Sequence, residues 1–167
     1  MCGVRALVSF PDPVDEVSAR LVAVGVVLQC LAILSGMTWL VAVLAYGFVA
    51  RVVTGPTLSP LGQVATRFVR PRLEVTPRLV PGPPKRFAQG IGATLSLASA
   101  VLHFGFGLTS PALIAITGIL VAASFEALAG FCAGCWLFAR LVRMGVLPDH
   151  VCQACSDLTT RTDAATA

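Results

Sequence analysis

The run Gly90–Ala139, GIGATLSLASAVLHFGFGLTSPALIAITGILVAASFEALAGFCAGCWLFA, decides the architecture. Its only ionisable side chains apart from cysteines are His103 and Glu126. As a single helix it would be about 75 Å long, more than twice a hydrocarbon core of about 30 Å. The run must fold back, and the breakers Gly105, Gly107, Thr109, Ser110 and Pro111 mark where. Two spans follow, at about 87–106 and 112–144. A second apolar block, Leu21–Ala50, is free of charge. At roughly 45 Å of helix it is too long for one upright span. Ser35-Gly36-Met37-Thr38 offers a tight connection, and Trp39 suits the headgroup level, so this block divides into spans at about 18–35 and 38–53.

The composition agrees. Of 167 residues, 56% are apolar and 12% charged. An ordinary soluble domain carries roughly a quarter charged residues, so the chain is a poor match for that class, and a disordered chain is excluded. Charge placement then arbitrates between three spans and four. With four, both uncharged connections lie on one side, while the termini and the loop at about 54–86 lie on the other with all twelve Arg and Lys. Three spans would put Arg5 and Arg20 opposite that loop. The positive-inside rule therefore predicts an all-α, four-transmembrane-helix bundle forming one domain over 1–167. Both termini, including the tail at about 145–167, lie in the cytoplasm. Met1–Phe10 is too short an apolar stretch for a cleaved signal, so the first span is expected to stay in the membrane.

Within the loop, Ser59 reads as a helix cap with Pro60 at the first helical position. Leu61, Val64 and Phe68 share a face, which predicts a short interfacial amphipathic helix. Pro71, Pro77, Pro81, Pro83 and Pro84 predict an extended tether after it. Seven cations against Glu74 between positions 51 and 86 fit topology and membrane lipid as partner. The loop lacks the aromatic interleaving that reads bases, so no nucleic acid is expected.

Chemistry concentrates in the cysteines. Cys132-Ala133-Gly134-Cys135 and Cys152-Gln153-Ala154-Cys155 are two CxxC pairs, and Cys2 and Cys30 complete the six. Cys30 reads as core packing. On a continuous last helix Cys132 lies near the water boundary, with Cys135 three residues on and facing the same way. Trp136, Arg140 and Arg143 mark the exit from the membrane. The pair can act as a redox dithiol, with Arg140 or the basic loop supplying the field that favours a thiolate. The spacing of the two pairs also falls within the range of four-thiolate zinc sites, with Cys132, Cys135, Cys152 and Cys155 as ligands. Glu126 is costly inside a span unless neutral or paired, and His103 and Gln29 are the polar side chains expected to reach it. That trio reads equally as a proton relay or headgroup holder and as interhelical glue.

Three ordered segments carry a resemblance. They are Ser59-Pro60-Leu61-Gly62 with Arg67-Phe68-Val69-Arg70-Pro71-Arg72-Leu73, then Pro84-Lys85-Arg86-Phe87-Ala88-Gln89, and Gly130-Phe131-Cys132-Ala133-Gly134-Cys135. Together they resemble the DUF4395 family of bacterial integral membrane proteins over about 20–143. The resemblance implies a four-helix protein of the bacterial inner membrane with Cys132 and Cys135 as its hallmark. It also implies an association with thioredoxin-like or sulfurtransferase-like partners. The Asp12-Pro13-Val14-Asp15-Glu16 opening and the Cys152/Cys155 pair depart from the family pattern.

Three readings follow. In the first, Cys132 and Cys135 are catalytic in thiol-disulfide exchange or sulfur transfer with a thioredoxin-like partner. The second is a zinc-binding membrane protein, and the third a membrane scaffold or channel-like component. Gly90, Gly92, Gly107 and Gly118 suit packing against a second copy of the chain, a homo-oligomer.

Overall fold

The structure, a computed structural model, describes residues 13–73, 76 and 78–145. Cys2, His150, Cys152 and Cys155 lie outside the described residues, and with them half of the expected zinc ligand set. Four long helices form the body: α1 (Glu16–Leu34), α2 (Leu40–Thr54), α3 (Gly82–Ala100, prolonged by a π-helical turn Val101–Gly105) and α4 (Thr109–Ala129). A fifth, α5 (Ala133–Arg143), follows after a break.

The helices alternate in direction, and specific contacts fix this. Arg51 of α2 bonds Gln89 of α3, while Phe48 lies against Gly92, so α2 and α3 are antiparallel. Ser99 Oγ donates to the Ala112 carbonyl at 3.0 Å, and Lys85 meets Glu126, which makes α3 and α4 a hairpin. The core runs through Val22, Val26, Cys30 and Ile33 of α1, Val41, Leu44 and Phe48 of α2, Ala93 of α3, and Ile116 and Ile119 of α4. A Cβ at Gly92 would overlap the Phe48 ring, so this glycine sets the approach of α2 to α3 within the chain. Large apolar side chains point outward along the same helices, among them Leu28, Val101, Ile114 and Leu128. An apolar surface of this extent is what a helix presents to lipid rather than water.

Three helices, Glu16–Leu34, Gly82–Gly105 and Thr109–Ala129, are long and apolar enough to cross a membrane, and α2 is a shorter apolar helix. Among the described residues every Arg and Lys lies toward one end of this body, from Arg20 and Arg51 to Arg140 and Arg143. The turns 35–39 and 106–108 at the other end carry no charge.

Three sequence expectations need correction. The last helix is not continuous over 112–144: α4 ends at Ala129, and Gly130 adopts φ +66°. The Gly130 and Phe131 N–H groups close on the Glu126 and Phe125 carbonyls at 3.1 and 3.3 Å, a left-handed C-terminal cap that turns the chain aside. The third span begins at Gly82, not 87. Pro83 and Pro84 open it because the first helical turn needs no N–H donors, so they belong to the helix and not to a tether.

The interfacial helix also differs. Ser59 does cap it, accepting the Gly62 N–H at 3.3 Å, and Pro60–Gln63 passes into a π-helical stretch Val64–Val69. The segment lies against α1, where a Cβ at Gly25 would stand 2.8 Å from the Leu61 side chain and Arg70 pairs with Asp15. The proline-rich return is likewise tied down. Leu79–Val80 forms an antiparallel ladder with Val14–Asp15, and the Glu16 N–H donates to the Arg78 carbonyl at 2.8 Å.

Candidate functional site

The break at Gly130 builds the site. After it, Cys132 is the N-cap of α5 in an extended conformation, φ −95° and ψ 105°, and Cys135 lies in the first turn. The thiols are therefore not two positions on a long helix face. They occupy a helix start, where unsatisfied N–H groups and the positive end of the helix dipole favour an anion. Both are half-buried and free.

α5 is held down by α3. A Cβ at Gly134 would overlap Ala88, so only glycine lets the CxxC turn rest on the α3 backbone. Phe138, one turn on, is buried against Phe87 with ring centroids 5.5 Å apart. Gly130 also accommodates the Arg20 guanidinium, which a Cβ there would overlap. Arg20 in turn pairs with Glu16 at 3.2 Å, and Glu16 with Arg78 at 3.2 Å.

The two thiols are electrostatically unequal. The Cys135 thiol donates to the Cys132 sulfur and holds Cys132 below the ordinary thiol range, against burial and the Glu126 carboxylate, with Lys85 and the Cys135 backbone N–H assisting. The same bond pushes Cys135 up, because its proton is held by Cys132, and burial adds to the rise. One sulfur is thus prepared as a thiolate beside a protonated neighbour.

Lys85 is the chain's single lysine, and its Nζ bonds Glu126 Oε1. The Glu126 carboxylate is therefore paired with Lys85, not with His103 or Gln29. His103 stands at the far end of α3, about 27 Å along the helix from Lys85, with its Nδ1 3.2 Å from Thr109 Oγ1. Gln29 is on α1 toward mid-bundle and takes no part in this network among the described residues. Arg140 does not face the thiols: its guanidinium lies 5.0 Å above the Trp136 ring.

Arg51 is the second residue that the sequence reading missed as part of the site. It is 4% exposed, its Nε donates to Gln89 Oε1 at 2.9 Å, and its Nη1 donates to Ser59 Oγ at 3.1 Å. The available signal was its position, since Val52 and Val53 continue the apolar pattern beyond it. For Lys85 the signal was its being the one lysine among eleven arginines.

Two cavities meet at Cys132. An open one of about 470 Å³ is walled by Pro81, Pro84, Lys85, Phe131 and Trp136 and exposes both cysteines. The other, about 260 Å³, runs inward between α1, α3 and α4, past Glu126 and Gln89 to Phe48, Leu95 and Ile119. Among the described residues no group of three or more His, Cys, Asp or Glu side chains is arranged to hold a metal ion.

No curated protein and no solved structure matches the chain. A family model does, over residues 14–143, and that range contains the four long helices, the Lys85–Glu126 pair and the CxxC helix start. The chain belongs to the family described as Domain of unknown function (DUF4395).

Proposed function

We propose that the protein is a membrane dithiol that exchanges disulfides with a thioredoxin-like partner, with Cys132 as the nucleophile and Cys135 as the resolving thiol. The observation that carries this reading is the placement of Cys132 at the N-cap of α5, with Cys135 in its first turn and Lys85 on the wall of the same cavity. A thiolate so stabilised attacks one sulfur of a partner disulfide, forming a mixed disulfide and releasing the partner's other sulfur as a thiolate. Cys135 then loses its proton and attacks the Cys132 sulfur. The Cys132–Cys135 disulfide forms and the partner leaves as a dithiol, two electrons richer. Lys85 keeps a positive charge near the reacting sulfurs, and Glu126 holds the lysine in place.

In this proposal α2 crosses the bilayer together with the three longer helices. The end of the bundle that carries the CxxC and the Arg and Lys residues faces the cytoplasm of a bacterial cell. A cytoplasmic thiol pair is kept reduced and cycles transiently, as the proposed chemistry requires.

The test is to trap the intermediate. Cys135→Ser, incubated with an oxidised thioredoxin-like protein, should accumulate a dithiothreitol-reversible adduct at Cys132, and Cys132→Ser should give none. Equal adduct formation by both variants, or by neither, overturns the assignment.

A further inference from the structure

We infer that the pocket enclosed by the start of α1, the end of α2, the 55–66 connection and the start of α3 binds a small tetrahedral oxyanion on the Arg51 guanidinium. The pocket is lined by Asp15, Ser18, Arg51, Thr66, Lys85 and Gln89, among others. It shares Lys85 with the open cysteine cavity and Gln89 with the inner one but is lined by neither cysteine, and the inference does not depend on the thiol chemistry.

Arg51 is a buried charge with no carboxylate in hydrogen-bond contact among the described residues, and Glu126 acts on it only through space. A guanidinium does not deprotonate in proteins, so a buried one must find compensation. Arg51 finds only neutral partners: Gln89 Oε1, Ser59 Oγ and the Phe48 ring, 4.4 Å from its central carbon. The described carboxylates are Asp15, Glu16 and Glu126, and each is engaged elsewhere. Asp15 is bound to Arg70, Glu16 to Arg20 and Arg78, and Glu126 to Lys85. Arg51 Nη2 is buried with no hydrogen-bond partner among the described residues. An unsatisfied buried donor on a charged group is expensive, and an anion seated against it removes both the electrostatic and the hydrogen-bond deficit.

Size and chemistry select the ligand class. The cavity is about 220 Å³, and a liquid water occupies roughly 30 Å³, so an oxyanion with a few waters fits. The Ser18 and Thr66 hydroxyls also line it, with their protons given to Asp15 Oδ2 and the Gly62 carbonyl, so the guanidinium is the donor an anion would meet. Asp15 also lines it, with its charge directed to Arg70, Ser18 and the Val17 N–H. The planar fork of arginine matches phosphate and sulfate oxygens better than a lysine ammonium does. The same chemistry is offered by a free inorganic ion and by the phosphodiester of an anionic lipid headgroup.

The experiment uses the full chain, purified in detergent, delipidated and desalted into chloride. Its Tm is followed during titration with sodium phosphate and sodium sulfate at constant ionic strength. A parallel arm adds phosphatidylglycerol, with phosphatidylcholine as control. A saturable rise of several degrees with phosphate or sulfate supports the inference with a free ion as ligand. A rise with phosphatidylglycerol alone supports it with the headgroup as ligand. Arg51→Lys, which keeps the charge and loses the fork, should weaken the fitted affinity at least tenfold. Ala19→Leu, which fills the pocket from α1, should abolish the response. No shift of wild type with any of the three probes overturns the inference, and so does an undiminished response in Arg51→Lys. Because the wild-type titration decides by itself, a variant that fails to fold leaves the test intact.

Discussion

The two ends of the bundle differ in backbone and in chemistry. At one end the helices are joined by the short turns 35–39 and 106–108, where Gly36 and Gly107 take positive φ and the side-chain contacts are uncharged ones, Ser35 with the Ala32 carbonyl and His103 with Thr109 and Phe104. At the other, Arg51, Gln89, Lys85, Glu126 and the two cysteines sit within or just above the helix ends. The first end closes hairpins at low cost. The second sinks charged groups into an apolar body, where each must be answered by a partner. Costly buried groups concentrate where they act, and this contrast is the ground for placing the proposed chemistry at the polar end.

The sharpest way to break the comparison is to remove the proposed nucleophile. Cys132→Ser should reduce disulfide exchange to background while leaving Tm within about 1 °C, because a half-buried thiol contributes little to packing. Next in size is the buried ion pair. Lys85→Met alone leaves Glu126 unpaired and should cost about 3 kcal/mol by thermal denaturation, whereas Lys85→Met with Glu126→Leu should recover most of the loss. The single variant also tests the electrostatics of the site. Alkylation of Cys132 rises as pH passes through its pKa, since only the thiolate reacts. In wild type the midpoint should lie below the roughly 8.5 of a free cysteine, and in Lys85→Met it should move upward.

A smaller effect is expected at the glycines that seat α5. Gly130→Ala forces a side chain into a left-handed conformation and into Arg20, and should cost about 1–2 kcal/mol. Gly134→Ala pushes the CxxC turn off Ala88, and should narrow the difference in alkylation rate between Cys132 and Cys135. Smallest of all is the plain end. His103→Ala should change stability by less than about 0.5 kcal/mol and leave thiol reactivity untouched. A large effect there would erase the distinction between the ends.

Much of this was legible in residue order. The two apolar blocks, their breakers at 35–38 and 105–111, the Ser59 cap and the one-sided distribution of arginines required no coordinates, because hydropathy and turn chemistry are local. The end of α4 was less legible. Gly130 stands in an unbroken apolar run, and only its φ distinguishes a chain-turning glycine from one that packs, as Gly92 does. Missing that turn placed both cysteines on a helix face and made Arg140 the expected source of positive charge. Glu126 was rightly singled out as needing a partner, but a search along apolar spans found His103 and Gln29 and passed over Lys85, hidden behind two prolines.

By itself, the sequence determined that this chain buries long apolar helices, concentrates its charge at one end and carries a CxxC pair beside that end. These follow from the free energy of transferring side chains between water and hydrocarbon, which depends on residue type and spacing alone. Only the tertiary structure decided which groups meet: Cys132 at a helix start, Lys85 on Glu126, and Arg51 without a carboxylate among the described residues. Those pairings join residues up to 41 positions apart. They depend on close approaches at Gly92, Gly130 and Gly134 that a Cβ would block, and hard-sphere contact in three dimensions leaves no periodic trace in a linear chain.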